Sequence, residues 1–212
     1  MCNFLSALVL KSGEVVCSPE HSDSHEDLID AAELSDNGNG GFARVEYLPR
    51  DRYDKLDKYE FVVDEITKPD WFTEEVKQRT IEILKARVSR MIVSDKKKIL
   101  LGGCYVLTDG ADVGKIKNSR ILAACDSAKI GEVYGSAKID RVCDSAKIGE
   151  VCGSAKIGEV CGSAKIGEVC DSVKIDRVCD SAKIGEVCGS AKIGRVCGSA
   201  KIKNDYRVKK EN

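Results

Sequence analysis

Residues 145–162 read SAKIGEVCGSAKIGEVCG, one nine-residue phrase written twice. From Ser127 to Arg207 the chain fits nine copies of S-A-K-I-G-E-V-C-G/D with no slip in phase. Lys129 recurs as Lys138, Lys147, Lys156, Lys165, Lys174, Lys183, Lys192 and Lys201, and the Ile column is unbroken; Val173 replaces Ala once, and only the last copy loses its Val. Self-similarity at a fixed period marks a stacked array of units that bury their apolar faces against one another. A helix is excluded, because nine residues make about 2.5 turns and successive copies would point to opposite sides. A Gly-Ser or Asp-Ser break also recurs in every copy, and helices tolerate glycine poorly. In extended chain, SAKI places Ala and Ile on one face and Lys on the other, and EVC places Val opposite Glu and Cys. The small residues at Gly-Ser, Asp-Ser and after each Ile are expected to supply the corners. The array therefore predicts a parallel β-solenoid.

Nine residues are too few to circle a packed core, so each coil is expected to hold about 18 residues, two nine-residue units. Charge supports the doubling. On one set of alternate copies the position after Gly or Asp is Glu132, Glu150, Glu168 and Glu186; on the other it is Arg141, Glu159, Arg177 and Arg195. One face then carries a Lys/Glu lattice built on Lys129, Lys147, Lys165 and Lys183, and the opposite face is net basic. Stacked at about 4.8 Å per coil, the nine copies make a rod of about 22 Å. The cysteines split the same way: Cys125, Cys143, Cys161, Cys179 and Cys197 form one stack, and Tyr134, Cys152, Cys170, Cys188 and Tyr206 the other.

This repeat resembles the bacterial β-solenoid class and is similar in kind to hexapeptide and nonapeptide β-helices, though it matches neither motif residue for residue. It lacks the aspartates of the calcium-binding nonapeptide, which argues against calcium. The opening MCNF…SH.DL…F.RVE…VDE…PDWF resembles the N-terminal region of uncharacterised bacterial and phage proteins that carry such repeats. The resemblance brings no established activity with it.

The first half of the 212 residues differs in composition. Trp71, all four Phe and three of the six Tyr precede residue 100. Residues 1–100 hold 15 Lys and Arg against 20 Asp and Glu, and the remainder 19 against 15. Neither imbalance is a nucleic-acid footprint. FLSALVL and VVC read as strands joined through Gly13, SHEDLIDAAEL as a short helix with Ser24 at its N-cap, and FARVEY and YEFVVDE as further strands. The longest helix is expected at about residues 71–93, with Val76, Thr80, Leu84 and Val88 at helical spacing. The chain thus divides into a small α+β domain at 1–95, a junction with a first irregular rung at 96–118, the β-solenoid at 119–206 and a charged tail at 207–212.

The start MCNFLSALVLKSGE has no basic leader and an apolar run of only about seven residues. No stretch approaches the roughly 20 apolar residues of a membrane span. These features predict a cytoplasmic protein with reduced thiols. No CxxC pair exists among the 11 cysteines, and one thiol per coil gives a line rather than a tetrahedron, so neither metal nor cofactor is expected and cysteine reads as a small filler. Cys2 is the catalytic candidate: freed by loss of Met1, it would resemble the start of an N-terminal-nucleophile hydrolase. His21 and His25, with Asp23, Glu26 and Asp27, read as capping and solvated surface around a helix start. No phosphate loop or Ser/His/Asp arrangement appears. The expected role is a non-enzymatic scaffold that shows its Lys, Glu and Arg columns to a protein partner. Its unpaired strand edges also allow end-to-end self-association.

Overall fold

A computed structural model describes residues 4–18, 24–36 and 40–207. The chain forms two compact units, Met1–Met91 and Ile92–Asn212.

In the first unit, β1 (Ser6–Leu10), β2 (Val15–Val16), β3 (Phe42–Pro49) and β4 (Tyr59–Val63) make an antiparallel sheet in the order β2-β1-β3-β4. Gly13 turns the first hairpin at φ +87°, a left-handed conformation that glycine adopts without strain. Helix α1 (His25–Ala31) begins at Ser24, whose hydroxyl accepts the Asp27 N–H at 3.5 Å. Its Leu28 and Ile29 pack with Leu8 and Phe42. Helix α2 (Glu74–Met91) buries Thr80, Leu84, Val88 and Met91. It is shorter than the spacing predicts at both ends. Trp71 donates to the Gly40 carbonyl at 2.6 Å and Phe72 is buried, so both are used before the helix begins; the Thr73 hydroxyl accepts the Val76 N–H. At the other end Ile92 and Val93 already form a strand.

The second unit is a two-sided parallel β-solenoid of about 18 residues per coil. One sheet stacks β6 (Lys96–Leu101), β8 (Asp112–Lys117), β10 (Lys129–Tyr134), β12 (Lys147–Val151), β14 (Lys165–Val169), β16 (Lys183–Val187) and β18 (Lys201–Asp205). The other stacks β5 (Ile92–Val93), β7 (Cys104–Leu107), β9 (Arg120–Ala124), β11 (Lys138–Val142), β13 (Lys156–Val160), β15 (Lys174–Val178) and β17 (Lys192–Val196). Identical columns pair in register, as Ile148 with Ile166 and Val151 with Val169. Seven strands at about 4.8 Å give a ladder of roughly 29 Å. Residues 96–118, which carry no clean repeat, supply β6, β7 and β8 of these sheets.

Ala, Ile and Val from both sheets fill one continuous core, and among the described residues no cysteine belongs to it. Each coil turns immediately after the Cys column. The Ala N–H bonds back to the Cys carbonyl three residues earlier, as in Ala146 to Cys143 at 3.1 Å. The residue after the cysteine sits at positive φ, +55° at Asp144 and +62° at Gly162. Gly and Asp interchange there because both enter the left-handed region more readily than bulkier residues. An aspartate adds a tie between coils: Asp171 accepts the Gly153 N–H at 2.8 Å, and Asp180 the Gly162 N–H at 3.0 Å.

The expected corner after each Ile is absent. The Gly or Asp at that position lies inside a strand, followed by an outward Glu or Arg and an inward Val. On the β8–β18 sheet the coils approach closely there, and a Cβ on Gly167 would lie 2.4 Å from the Gly149 carbonyl oxygen one coil below, whereas the other sheet carries Asp140 and Asp176 at this position.

Candidate functional site

The outward faces of the solenoid are charge ladders set by the 18-residue register. On the β8–β18 sheet, Glu132, Glu150, Glu168 and Glu186 stand one above another, and Lys129, Lys147, Lys165 and Lys183 do the same. Of these glutamates, the lowest has a lysine against it: Lys115 Nζ lies 2.7 Å from Glu132. No ion pair joins Glu150 or Glu168 to a cation among the described residues, so the long lysines stand apart from the carboxylates.

The other sheet is built differently. Arg141, Glu159, Arg177 and Arg195 stack in that order. Glu159 is held between two guanidiniums, 2.8 Å from Arg141 and 3.6 Å from Arg177. Strands β11, β13, β15 and β17 together carry seven Lys and Arg against three Asp and Glu. Below them Arg120, only 7% exposed, reaches Asp140 at 2.8 Å, and Lys138 approaches the same carboxylate at 3.3 Å. The sequence columns are thus brought onto two separate faces, the unbroken glutamate column on one and the arginines on the other.

The thiols lie at strand ends, outside the core. In the first stack Cys125, Cys161 and Cys179 are buried and Cys143 and Cys197 half-buried; in the second, Cys152, Cys170 and Cys188 are all half-buried. Cys170 Sγ approaches Glu150 at 3.7 Å, Cys188 approaches Glu168 at 3.7 Å, and Cys179 approaches Glu159 at 3.4 Å. Burial, then Asp171 and the neighbouring thiols and Glu150, push the Cys170 thiol up to about 12. Burial and then Glu150 raise Cys152; burial and then Glu168 raise Cys188. These groups stay protonated at neutral pH, where a thiol is a poor nucleophile. Cys2 lies outside the described residues, as do His21 and Asp23.

His25 is placed differently from the surface reading of the sequence. It is buried, its Nε2 is 3.1 Å from the Val45 carbonyl, and its Nδ1 is 3.4 Å from Asp64. The short helix α1 has to lay one face on the sheet to bury Leu28 and Ile29, and His25 lies on the buried side. Glu46 joins Asp64 and His25 in a cluster whose ligand atoms lie within 4.8 Å of one another. No spacing in the sequence points to Glu46 and Asp64, which only the β3–β4 pairing brings to the histidine. The first unit also has an open groove of about 460 Å³ lined by Tyr47, Tyr59, Phe61, Lys77, Ile81 and Lys85. No helix among the described residues is long and apolar enough to cross a membrane. No known protein family, curated protein or solved structure matches the chain.

Proposed function

We propose that this chain is a non-enzymatic interaction protein whose solenoid presents a rigid charged lattice to a macromolecular partner. The observation that carries the reading is the net basic face of β11, β13, β15 and β17, where Arg141, Arg177 and Arg195 are spaced by the ladder rather than by flexible loops. A surface of fixed pitch suits a folded protein with a complementary acidic face, because ordering costs are already met within the sheet and charge sets orientation and encounter rate. The resemblance of the opening segment to phage and bacterial repeat proteins makes a phage product acting on a host protein the specific form of this proposal. The raised thiol pKa values support a structural rather than a nucleophilic role for the cysteine stacks.

The test is affinity capture with the full chain, followed by binding measurements on any retained protein with an Arg141→Glu/Arg177→Glu/Arg195→Glu variant. The expected result is one partner whose affinity falls with salt and is lost in the triple variant. Equal retention by wild type and variant, or capture of nucleic acid in place of protein, overturns the proposal. A second reading, self-assembly through the last coil, is favoured by the exposure of Val196 at 44% and the incomplete burial of Ile193 and Ile202 there.

A further inference from the structure

We propose that Cys152, Cys170 and Cys188, with Glu150 and Glu168, form a binding site for a single thiophilic d10 cation of the Zn²⁺ or Cd²⁺ type. A thiol column alone presents ligands in a line. The structure adds what a line lacks, a carboxylate beside each pair of thiols. The ligand atoms of Glu150, Cys152 and Cys170 all lie within 4.8 Å of one another, and one coil higher those of Glu168, Cys170 and Cys188 do the same. Glu150 lies 3.7 Å from Cys170, and Glu168 lies 3.7 Å from Cys188. Bonds of about 2.3 Å to sulfur and 2.0 Å to oxygen at a tetrahedral angle require about 3.5 Å between those ligands. Two thiolates and one carboxylate fill three positions, and water completes the fourth.

The two positions share Cys170. Ions one coil apart would be about 4.8 Å from each other. A sulfur between them reaches at most about 4.6 Å with two bonds of about 2.3 Å. Cys170 therefore serves one ion at a time, in either position.

The cation belongs on this thiol column and not the other for reasons of charge and access. Glu150 and Glu168 have no cation partner among the described residues, whereas Glu159, beside Cys179, is already held by Arg141 and Arg177. Cys125 is 3% exposed and its Sγ–H points to the Leu107 carbonyl at 3.4 Å, while the nearby Asp144 accepts the Asp126 N–H at 3.2 Å. The Cys170 Sγ–H is shared between the Val151 carbonyl at 3.6 Å and Glu150, but its column is half-buried and open to an ion. On binding, two S–H bonds release their protons to water, two sulfur–metal bonds and one carboxylate oxygen–metal bond form, and the ion sheds all but one inner-shell water; no electron is transferred.

The experiment titrates the reduced, metal-stripped full chain with Cd²⁺, reading the ultraviolet thiolate-to-cadmium charge-transfer band and the stoichiometry by native mass spectrometry. The expected result is one Cd²⁺ per chain, with affinity lowered at least about tenfold in Cys170→Ser and unchanged in Cys161→Ser and Cys143→Ser. On the wild-type chain alone, Cd²⁺ should protect Cys170 from maleimide and leave Cys161 and Cys179 as reactive as before, which keeps the test independent of how the serine variants fold. Absence of the band at saturating Cd²⁺, a Cd²⁺ affinity unchanged in Cys170→Ser, or protection centred on Cys143 or Cys161 overturns the assignment.

Discussion

Asp140 shows how one residue can bind two coils. Its carboxylate meets the guanidinium of Arg120, which is 7% exposed, and the ammonium of Lys138. Asp176 occupies the same position in the column two coils on, yet forms no ion pair among the described residues. Removing one partner of a buried ion pair is far more costly than losing an exposed carboxylate. Asp140→Ala is expected to destabilise the chain by about 2 kcal/mol, read from urea unfolding, because the Arg120 guanidinium loses its charge-assisted hydrogen bonds to this carboxylate. Asp176→Ala should change stability by no more than about 0.5 kcal/mol. Equal effects would show that the Arg120 contact contributes nothing special.

The strand with its following turn is the natural unit at the next scale, and the thiols belong to it. Burial pushes the Cys170 thiol up to about 12 and Cys179 up to about 11. In the unfolded chain a thiol ionises near about 8.5. A raised native pKa means that the folded state holds its proton longer, so the stability it contributes is complete below about pH 8.5 and is lost as pH rises toward the native values. Urea midpoints measured from about pH 7.5 to about pH 10 should fall with pH, and the slope should be shallower in Cys170→Ser. A slope unchanged by that substitution would remove the thiols from the explanation.

Most of this unit is legible in the repeats themselves. Ala, Ile and Val at fixed offsets announce the inward wall, and the alternation of Glu and Arg announces two faces. What stays hidden in the sequence has physical reasons. The glycine after Ile looks like a turn residue, but it lies inside a strand, and at Gly167 it sits close over the Gly149 carbonyl one coil away. Residues Ala111–Ser119, ADVGKIKNS, are a degenerate copy of AKIGEVYGS, with Val113 and Ile116 in the Ile and Val columns. Charge swaps at Asp112 and Lys115 disguise the match. The Cys–Glu neighbours are unreadable in the sequence because a thiol in one coil meets a carboxylate 20 positions earlier, a distance fixed only by the coil length.

At the scale of the whole molecule, the last coil is the exposed place. Strands β17 and β18 end their sheets, and Val196 and Tyr206 are 44% and 63% exposed. Unpaired edges with apolar neighbours template further pairing, and inward charge blunts them. Sedimentation over a wide concentration range is expected to show reversible association of the full chain, abolished by Ile202→Lys. A monomer at every concentration would end the self-assembly reading.

The coil length has a consequence for how such a gene can change. Loss or gain of two units moves every later strand by a whole coil and returns it to its own side. Loss of a single unit keeps Ala, Ile and Val pointing inward, since both sheets use the same apolar pattern. Yet it would transfer every downstream strand to the opposite sheet, setting Glu168 and Glu186 over the arginines and Arg177 and Arg195 over the glutamates. The inward apolar wall would persist, whereas the pattern offered to the surroundings would be inverted from that point on. Parity of repeat number is thus an inherited property of this surface, separable from the fold.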